Sequence, residues 1–273
     1  MKKVLKNAFL ALSISALFAA TPLAMASDHG EEQAAGHGGG HGAAAPAQHE
    51  ISASETMREV IEGNERFKMN HESKYFDLFQ NSQIPVLTVV TCSDSRVHTN
   101  LFGFVPDNNI FVIRNIGNQV ANSEGSVDYG VRHLPTKVLM ILGHSSCGAV
   151  KAAMGDYSGE TAGIKKELDP LKPVIALDDH SGEFKERWAK NVERNVDYQV
   201  DYSMKLYDEK VSHGDLVVVG AVYDFNDIYG QGRGSLIITN INGEKSPNKI
   251  MQHPVLKDLT RGPIVTHVSS RAQ

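Results

Sequence analysis

The fold class follows from the segment Lys137-Val-Leu-Met-Ile-Leu-Gly-His-Ser-Ser-Cys-Gly148, which runs from an apolar stretch into a polar loop. The uninterrupted apolar run predicts a buried strand over residues 137–142. A helix is predicted to follow the loop, over residues 148–154. A buried strand that passes through a short loop into a helix is typical of a parallel sheet covered by helices.

The rest of the chain repeats this alternation of apolar runs and amphipathic stretches. Further strands are predicted over residues 86–91, 110–113, 215–222 and 235–239. Helices are predicted near Ser52, at a Ser52-x-x-Glu55 capping box, and over residues 123–134 and 183–211. We therefore predict an α/β fold with a mainly parallel central β-sheet flanked by helices. An N-terminal helical arm and an edge strand near the C-terminus complete it.

The N-terminal segment has the pattern of an export signal and is not expected to belong to the folded domain. Three lysines precede an apolar run, and Ala24-Met25-Ala26 is a cleavage signal, so residues 1–26 read as a signal peptide. Residues 27–50 are rich in His, Gly and Ala and predict a disordered linker. Residues 51–273 form the folded domain. We expect the mature chain to be periplasmic or secreted and free of the membrane.

Charge and cysteine content narrow the function further. The formal net charge of -5 gives no basic surplus, so nucleic acid is not expected as a partner. The two cysteines are Cys92 and Cys147. In an exported protein, two cysteines commonly form one disulfide. Cysteine count alone therefore favours a disulfide, and the neighbouring residues must be weighed against it.

Both cysteines lie in polar clusters that follow predicted strands, Cys92-Ser-Asp-Ser-Arg96 and His144-Ser-Ser-Cys147. The carboxyl ends of parallel strands meet at one edge of a sheet, where ligands bind. Two thiolates and one imidazole suit zinc, and three protein ligands leave a fourth position for water, as in catalytic sites. Cys92, His144 and Cys147 are thus candidate ligands of one Zn²⁺ ion, with the disulfide still open as the alternative.

Asp94 and Arg96 flank this candidate site. They could be a simple ion pair at a strand end. Alternatively, Arg96 could keep Asp94 ionised and oriented as a hydrogen-bond acceptor for an attacking hydroxide, which would make the site catalytic.

The motifs resemble the two signatures of the β-class carbonic anhydrases. The resemblance rests on Cys92-Ser-Asp-Ser-Arg-Val97 and Gly143-His-Ser-Ser-Cys-Gly-Ala-Val150, with further matches at 111–118 and 126–131. Within that class, the chain resembles the plant-like branch. It implies hydration of carbon dioxide to bicarbonate by zinc-bound hydroxide, with Asp94 and Arg96 as the catalytic pair. It also implies that Asp94 could become a fourth zinc ligand in a closed state.

The resemblance further implies a small substrate pocket at the interface of a homodimer or higher oligomer. The residues that match its substrate-contacting positions are Gln83, Phe111, Ile116, Tyr129 and Gly148. For Phe111, Ile116 and Tyr129, the sequence predicts packing in the hydrophobic core as readily as contact with the substrate.

Two other functions fit the same residues. Hydrolases of carbonyl sulfide and carbon disulfide share the fold and the zinc ligands. A non-catalytic periplasmic zinc-binding protein would suit the histidines of the linker, although it would not need the pair formed by Asp94 and Arg96.

Overall fold

The structure is a computed structural model that describes residues 52–257. The predicted signal peptide and linker lie outside the described residues, so both remain predictions. The described residues divide into two units, 52–62 and 63–257, and the division lies inside the first helix. No helix among the described residues combines the length and apolar character needed to cross a bilayer.

The sheet confirms the predicted α/β class. Within the described residues it has five strands in the order β2-β1-β3-β4-β5. The strands are β1 (Leu87–Cys92), β2 (Ile110–Asn115), β3 (Val138–His144), β4 (Val217–Asp224) and β5 (Ser235–Ile241). Strands β1 to β4 pair in parallel, and β5 is an antiparallel edge strand, as predicted. Because β1 and β3 are neighbours, the two polar clusters emerge side by side.

The described residues also form nine α-helices. They are α1 (Ala53–Asn70), α2 (Ser73–Asp77), α3 (Glu124–Asp128), α4 (Gly148–Ala153), α5 (Ala162–Leu168), α6 (Lys172–Ile175), α7 (Phe184–Ser212), α8 (Pro247–Gln252) and α9 (Pro254–Lys257). Short 3₁₀ turns cover Thr99–Phe102, Ala121–Ser123 and Asp169–Leu171. The helix predicted over 123–134 is α-helical only to Asp128 and then becomes a π-helical turn, Tyr129–His133.

The predicted capping box at the start of α1 is present. The Ser52 N–H donates to Glu55 Oε2 at 2.8 Å, and the Glu55 N–H donates to Ser52 Oγ at 3.2 Å. The apolar side chains of α1 nevertheless stay in solvent, and Val60 is 58% exposed. The helix contains no buried residue.

Helix α7 positions the residues around the two polar clusters. A Cβ atom at Gly143 would lie 2.7 Å from Val196 Cγ2, so glycine at this position of β3 lets α7 pack directly on the sheet. The buried Asn195 side chain donates to the Gly117 carbonyl at 2.9 Å. Gln199 Oε1 accepts from the Val120 N–H, also at 2.9 Å. These bonds fix the loop after β2, which reaches the sheet edge that carries Cys92.

Candidate metal centre

The two polar clusters converge at the carboxyl edge of β1 and β3. Thr91 pairs with Leu142 in the parallel register, so Cys92 comes level with Gly143 and lies next to His144. The Sγ atoms of Cys92 and Cys147 and a ring nitrogen of His144 all lie within 4.8 Å of one another. All three residues are buried. In tetrahedral zinc sites with these ligands, donor atoms stand about 3.3–3.8 Å apart, so the cluster needs little adjustment to take the ion.

The imidazole of His144 is oriented for metal binding. Its Nδ1 lies 2.9 Å from the Ser145 carbonyl oxygen, which makes Nδ1 the protonated nitrogen and leaves Nε2 with a free lone pair. That Nε2 is buried and has no hydrogen-bond partner among the described residues. A buried polar atom without a partner is unfavourable unless a ligand satisfies it. A backbone carbonyl on the other ring nitrogen is also the usual support of a zinc-bound histidine.

The two cysteines are free, buried thiols in close contact. The contact with Cys147, the His144 ring and the Gly117 N–H all lower the pKa of the Cys92 thiol. The contact with Cys92 and burial raise the pKa of Cys147 well above its ordinary value. Two adjacent thiols cannot both ionise easily without a cation between them. A divalent metal would stabilise both thiolates, so the chemistry of the donor set fits Zn²⁺.

Asp94 and Arg96 form a bidentate salt bridge beside these donors. Arg96 Nε donates to Asp94 Oδ1 at 2.8 Å, and Arg96 Nη2 donates to Oδ2 at 2.7 Å. The Arg96 N–H adds a third bond to Oδ1 at 3.0 Å. These bonds hold the pKa of Asp94 well below its usual range. Asp94 Oδ2 lies 3.8 Å from His144 Nε2, so an ionised carboxylate borders the candidate metal position.

Two further residues donate hydrogen bonds to backbone carbonyls of the loops that carry Cys92 and Cys147. From the sequence alone, these two residues were assigned no role. Arg114 donates from Nε to the Cys92 carbonyl at 3.1 Å and from Nη2 to the Asp94 carbonyl at 2.7 Å. Trp188, the only tryptophan, donates from Nε1 to the Cys147 carbonyl at 2.8 Å. A sequence signal existed for Arg114, because it directly follows the strand predicted over residues 110–113 and so falls at the same edge of the sheet. Nothing in the sequence marked Trp188.

The predicted substrate-contacting residues divide into two groups. Ile116 directly follows β2, and Gly148 begins α4, so both lie at the edge that carries Cys92. Phe111, by contrast, pairs with Thr88, four residues before Cys92 on β1. That is a separation of about 13 Å along the strand.

Tyr129 and Gln83 lie with Phe111 at the far end of the strands. The Tyr129 ring packs 5.8 Å from the Phe111 ring, and Tyr129 is 46% exposed. Gln83 lines an open cleft with Pro85 and Ile110, near the start of β1 and β2. Within one chain, Gln83, Phe111 and Tyr129 therefore do not reach the metal centre.

Comparisons of sequence place this site among known enzymes. A family model described as carbonic anhydrase matches residues 87–232, more than half of the chain. Carbonic anhydrase 2 of Mycobacterium tuberculosis is 29% identical over 181 residues, which cover 61% of this chain and 86% of that protein. The chloroplastic beta carbonic anhydrase 5 of Arabidopsis thaliana is 25% identical over 208 residues, covering 68% of this chain and 67% of the relative.

Solved structures agree with this placement. A tetrameric β-carbonic anhydrase from the filamentous ascomycete Sordaria macrospora superposes with a TM-score of 0.59 at 26% identity, covering 67% of this chain and 96% of the other. A Coccomyxa β-carbonic anhydrase, solved with acetazolamide, gives a TM-score of 0.60 at 25% identity. That match covers 74% of this chain and 95% of the other.

Proposed function

The chain belongs to the carbonic anhydrase family, in its β class, and we propose that it interconverts carbon dioxide and bicarbonate with one zinc ion held by Cys92, His144 and Cys147. One observation carries the zinc assignment. Three buried residues offer donor atoms within 4.8 Å of one another, and His144 Nε2 has no hydrogen-bond partner in the described part of the chain.

The metal would supply Lewis acidity, which makes a water molecule nucleophilic near neutral pH. The protein supplies orientation. Asp94, kept ionised by Arg96, accepts a hydrogen bond at Oδ2 from the attacking oxygen and turns a lone pair of that oxygen toward the carbon atom of CO₂. Each turnover adds one water to one CO₂ and yields one bicarbonate and one proton. Arg96 donates one side-chain bond to each carboxylate oxygen, so Oδ2 keeps a lone pair for the attacking oxygen, while the pairing with Arg96 disfavours rotation of Asp94 onto the metal.

Purified protein in a stopped-flow CO₂ hydration assay tests this proposal. We expect rapid hydration by the zinc-loaded chain and none above background by the metal-free chain. The same samples should be offered carbonyl sulfide. Negligible CO₂ hydration together with fast carbonyl sulfide hydrolysis would contradict the proposal and would favour the hydrolase function instead.

We further propose that a second copy of the chain completes the substrate pocket. Phe111 lies about 13 Å from Cys92 along the strands. Tyr129 packs on Phe111, and Gln83 lies near Ile110 at the start of β2, so a partner subunit would be needed to bring these residues to the metal centre. Strand β2 is a terminal strand of the sheet, and Val86, which bonds to the Asn109 carbonyl just before it, is 56% exposed. An exposed apolar edge of this kind favours association. The expected assembly is a homodimer or a higher oligomer.

Complementation between two impaired variants tests the shared pocket. Asp94→Asn damages the metal centre, and Tyr129→Ala damages the proposed contribution to the partner's pocket. If the pocket is shared, co-refolded mixtures contain dimers with one intact site, and their activity rises above that of either variant alone. A mixture that associates but shows no more activity than the two variants measured separately would contradict the shared pocket.

Export is the remaining part of the proposal. The motif Ala24-Met25-Ala26 supports cleavage after Ala26 and work in the periplasm or outside the cell. Mass spectrometry of protein from the native source should find a mature chain that begins at Ser27. A chain retained in the cytoplasm with residues 1–26 intact would contradict export.

A further inference from the structure

The loop that follows β4 packs over the metal centre. The Phe225 N–H donates to Ser145 Oγ at 3.1 Å, and the Asn226 side chain donates to Ser146 Oγ. The buried Asp224 carboxylate shapes the loop by accepting the N–H groups of Asn226 at 3.1 Å and Tyr229 at 2.9 Å. The loop is therefore attached to both serines between the ligands, and Phe225 is held at a fixed place.

The ring of Phe225 lies between two groups of the proposed site. Its centroid is 4.7 Å from Cζ of Arg96, a distance typical of a cation–π contact. The ring also lies beside the His144 ring, with centroids 5.9 Å apart and planes 26° apart, and beside the Tyr223 ring, with centroids 5.7 Å apart. One aromatic side chain thus contacts a proposed metal ligand and the arginine that orients Asp94.

Arg96 needs such a contact because its side chain is 51% exposed. An exposed arginine keeps much of its rotamer freedom, and exposed ion pairs are weak when nothing restrains them. Among the described residues, the Arg96 side chain donates to one acceptor besides Asp94, the Ser146 carbonyl at 3.2 Å. An aromatic face restrains the guanidinium plane without competing for the hydrogen bonds that Asp94 accepts.

We infer that Phe225 is a positioning residue of the proposed hydration site, whose ring holds Arg96 and His144 so that the Asp94 carboxylate stays paired with Arg96 beside the metal. The inference rests on the proposed function for its catalytic consequence, but the contact with Arg96 can be tested without any turnover.

Three variants separate this role from simple packing. Phe225→Leu keeps an apolar side chain but removes the π face, and Phe225→Tyr keeps the face. Phe102→Leu is the matched control, since Phe102 is also half-buried and packs on Phe104. If Phe225→Leu does not fold, Phe225→Met removes the ring with a more adaptable side chain.

The first measurement is the rate at which phenylglyoxal modifies Arg96 in metal-free protein, and mass spectrometry monitors this modification over time. We expect at least a threefold faster modification in Phe225→Leu, and wild-type rates in Phe225→Tyr and Phe102→Leu. The second is kcat/KM for CO₂ hydration, which should fall about three- to tenfold in Phe225→Leu and stay within twofold in the other two.

The modification rate is the primary test of the inference, because it needs no turnover. An unchanged rate at Arg96 in Phe225→Leu would overturn it, whatever happens to turnover. Faster modification with Tyr rescue supports it even if the wild-type chain proved to hydrate no CO₂, so failure of the proposed function remains distinguishable. Faster modification with undiminished hydration would also overturn it, because the ring would then restrain Arg96 without serving Asp94.

Discussion

Replacing Asp94 by asparagine removes the negative charge from the metal centre while keeping the shape of the side chain. The amide can no longer accept both side-chain bonds from Arg96, which are 2.8 and 2.7 Å long. It also turns an NH₂ group toward either Arg96 or the attacking oxygen. We therefore expect zinc to remain bound and hydration to slow.

The size of the effect follows from the hydrogen bonds that are lost. Bonds to a charged partner contribute about 1.5–3 kcal/mol each in sheltered sites. Solvent weakens this pair, because Arg96 is 51% exposed although Asp94 is only 16% exposed. We therefore take about 1.4–2.8 kcal/mol for the weakened pairing as a whole, which lowers the rate about 10- to 100-fold.

Stopped-flow hydration with a pH indicator measures this change, and metal analysis of the same samples checks that zinc is retained. Asp215→Asn is the matched control, because Asp215 also faces a cation, Lys137 at 3.7 Å, but on an exposed surface. The control should hydrate CO₂ at the wild-type rate. Undiminished hydration by zinc-loaded Asp94→Asn would refute the role given to Asp94.

Three further predictions concern the ligands and the packing around them. Cys147→Ser should lower bound zinc from about one ion per chain to less than a tenth, and full zinc binding in this variant would contradict its role as a ligand. In metal-free protein, a thiol oxidant such as diamide should join Cys92 and Cys147 in a disulfide, detected by mass spectrometry, because their Sγ atoms are within 4.8 Å. Zinc-loaded protein should resist, and equal oxidation of both forms would argue against zinc on the thiolates. Gly143→Ala should lower the free energy of unfolding by about 1–3 kcal/mol in urea, since its Cβ would lie 2.7 Å from Val196 Cγ2. Gly125→Ala, with no atom within 4 Å of the new Cβ, should leave stability unchanged or slightly raised.

The metal donors were predictable from the sequence because parallel strands place their carboxyl ends together. Apolar runs fixed β1 and β3, and the polar residues after each run supplied Cys92 and His144. Proximity then required only that the two strands be neighbours. The same rule also implies that Phe111, at the start of β2, lies far from Cys92.

Other contacts depend on tertiary packing that no local pattern reveals. Trp188 reaches the Cys147 carbonyl because α7 crosses the sheet at Gly143. Phe225 reaches Arg96 because its loop is pinned to Ser145. Such contacts join residues distant in sequence, and single-chain patterns of hydrophobicity carry no information about them. The exposed face of α1 is a further case, because its helical period predicts a covered surface without saying what covers it.

Zinc titration of the metal-free protein tests the central claim most directly. Hydration of CO₂ should be absent without metal, should rise in proportion to added zinc, and should stop rising at one zinc per chain. A metal-free chain that hydrates CO₂ at the full rate, or a chain that binds one zinc and remains inactive, would contradict the claim that Cys92, His144 and Cys147 form a catalytic zinc site.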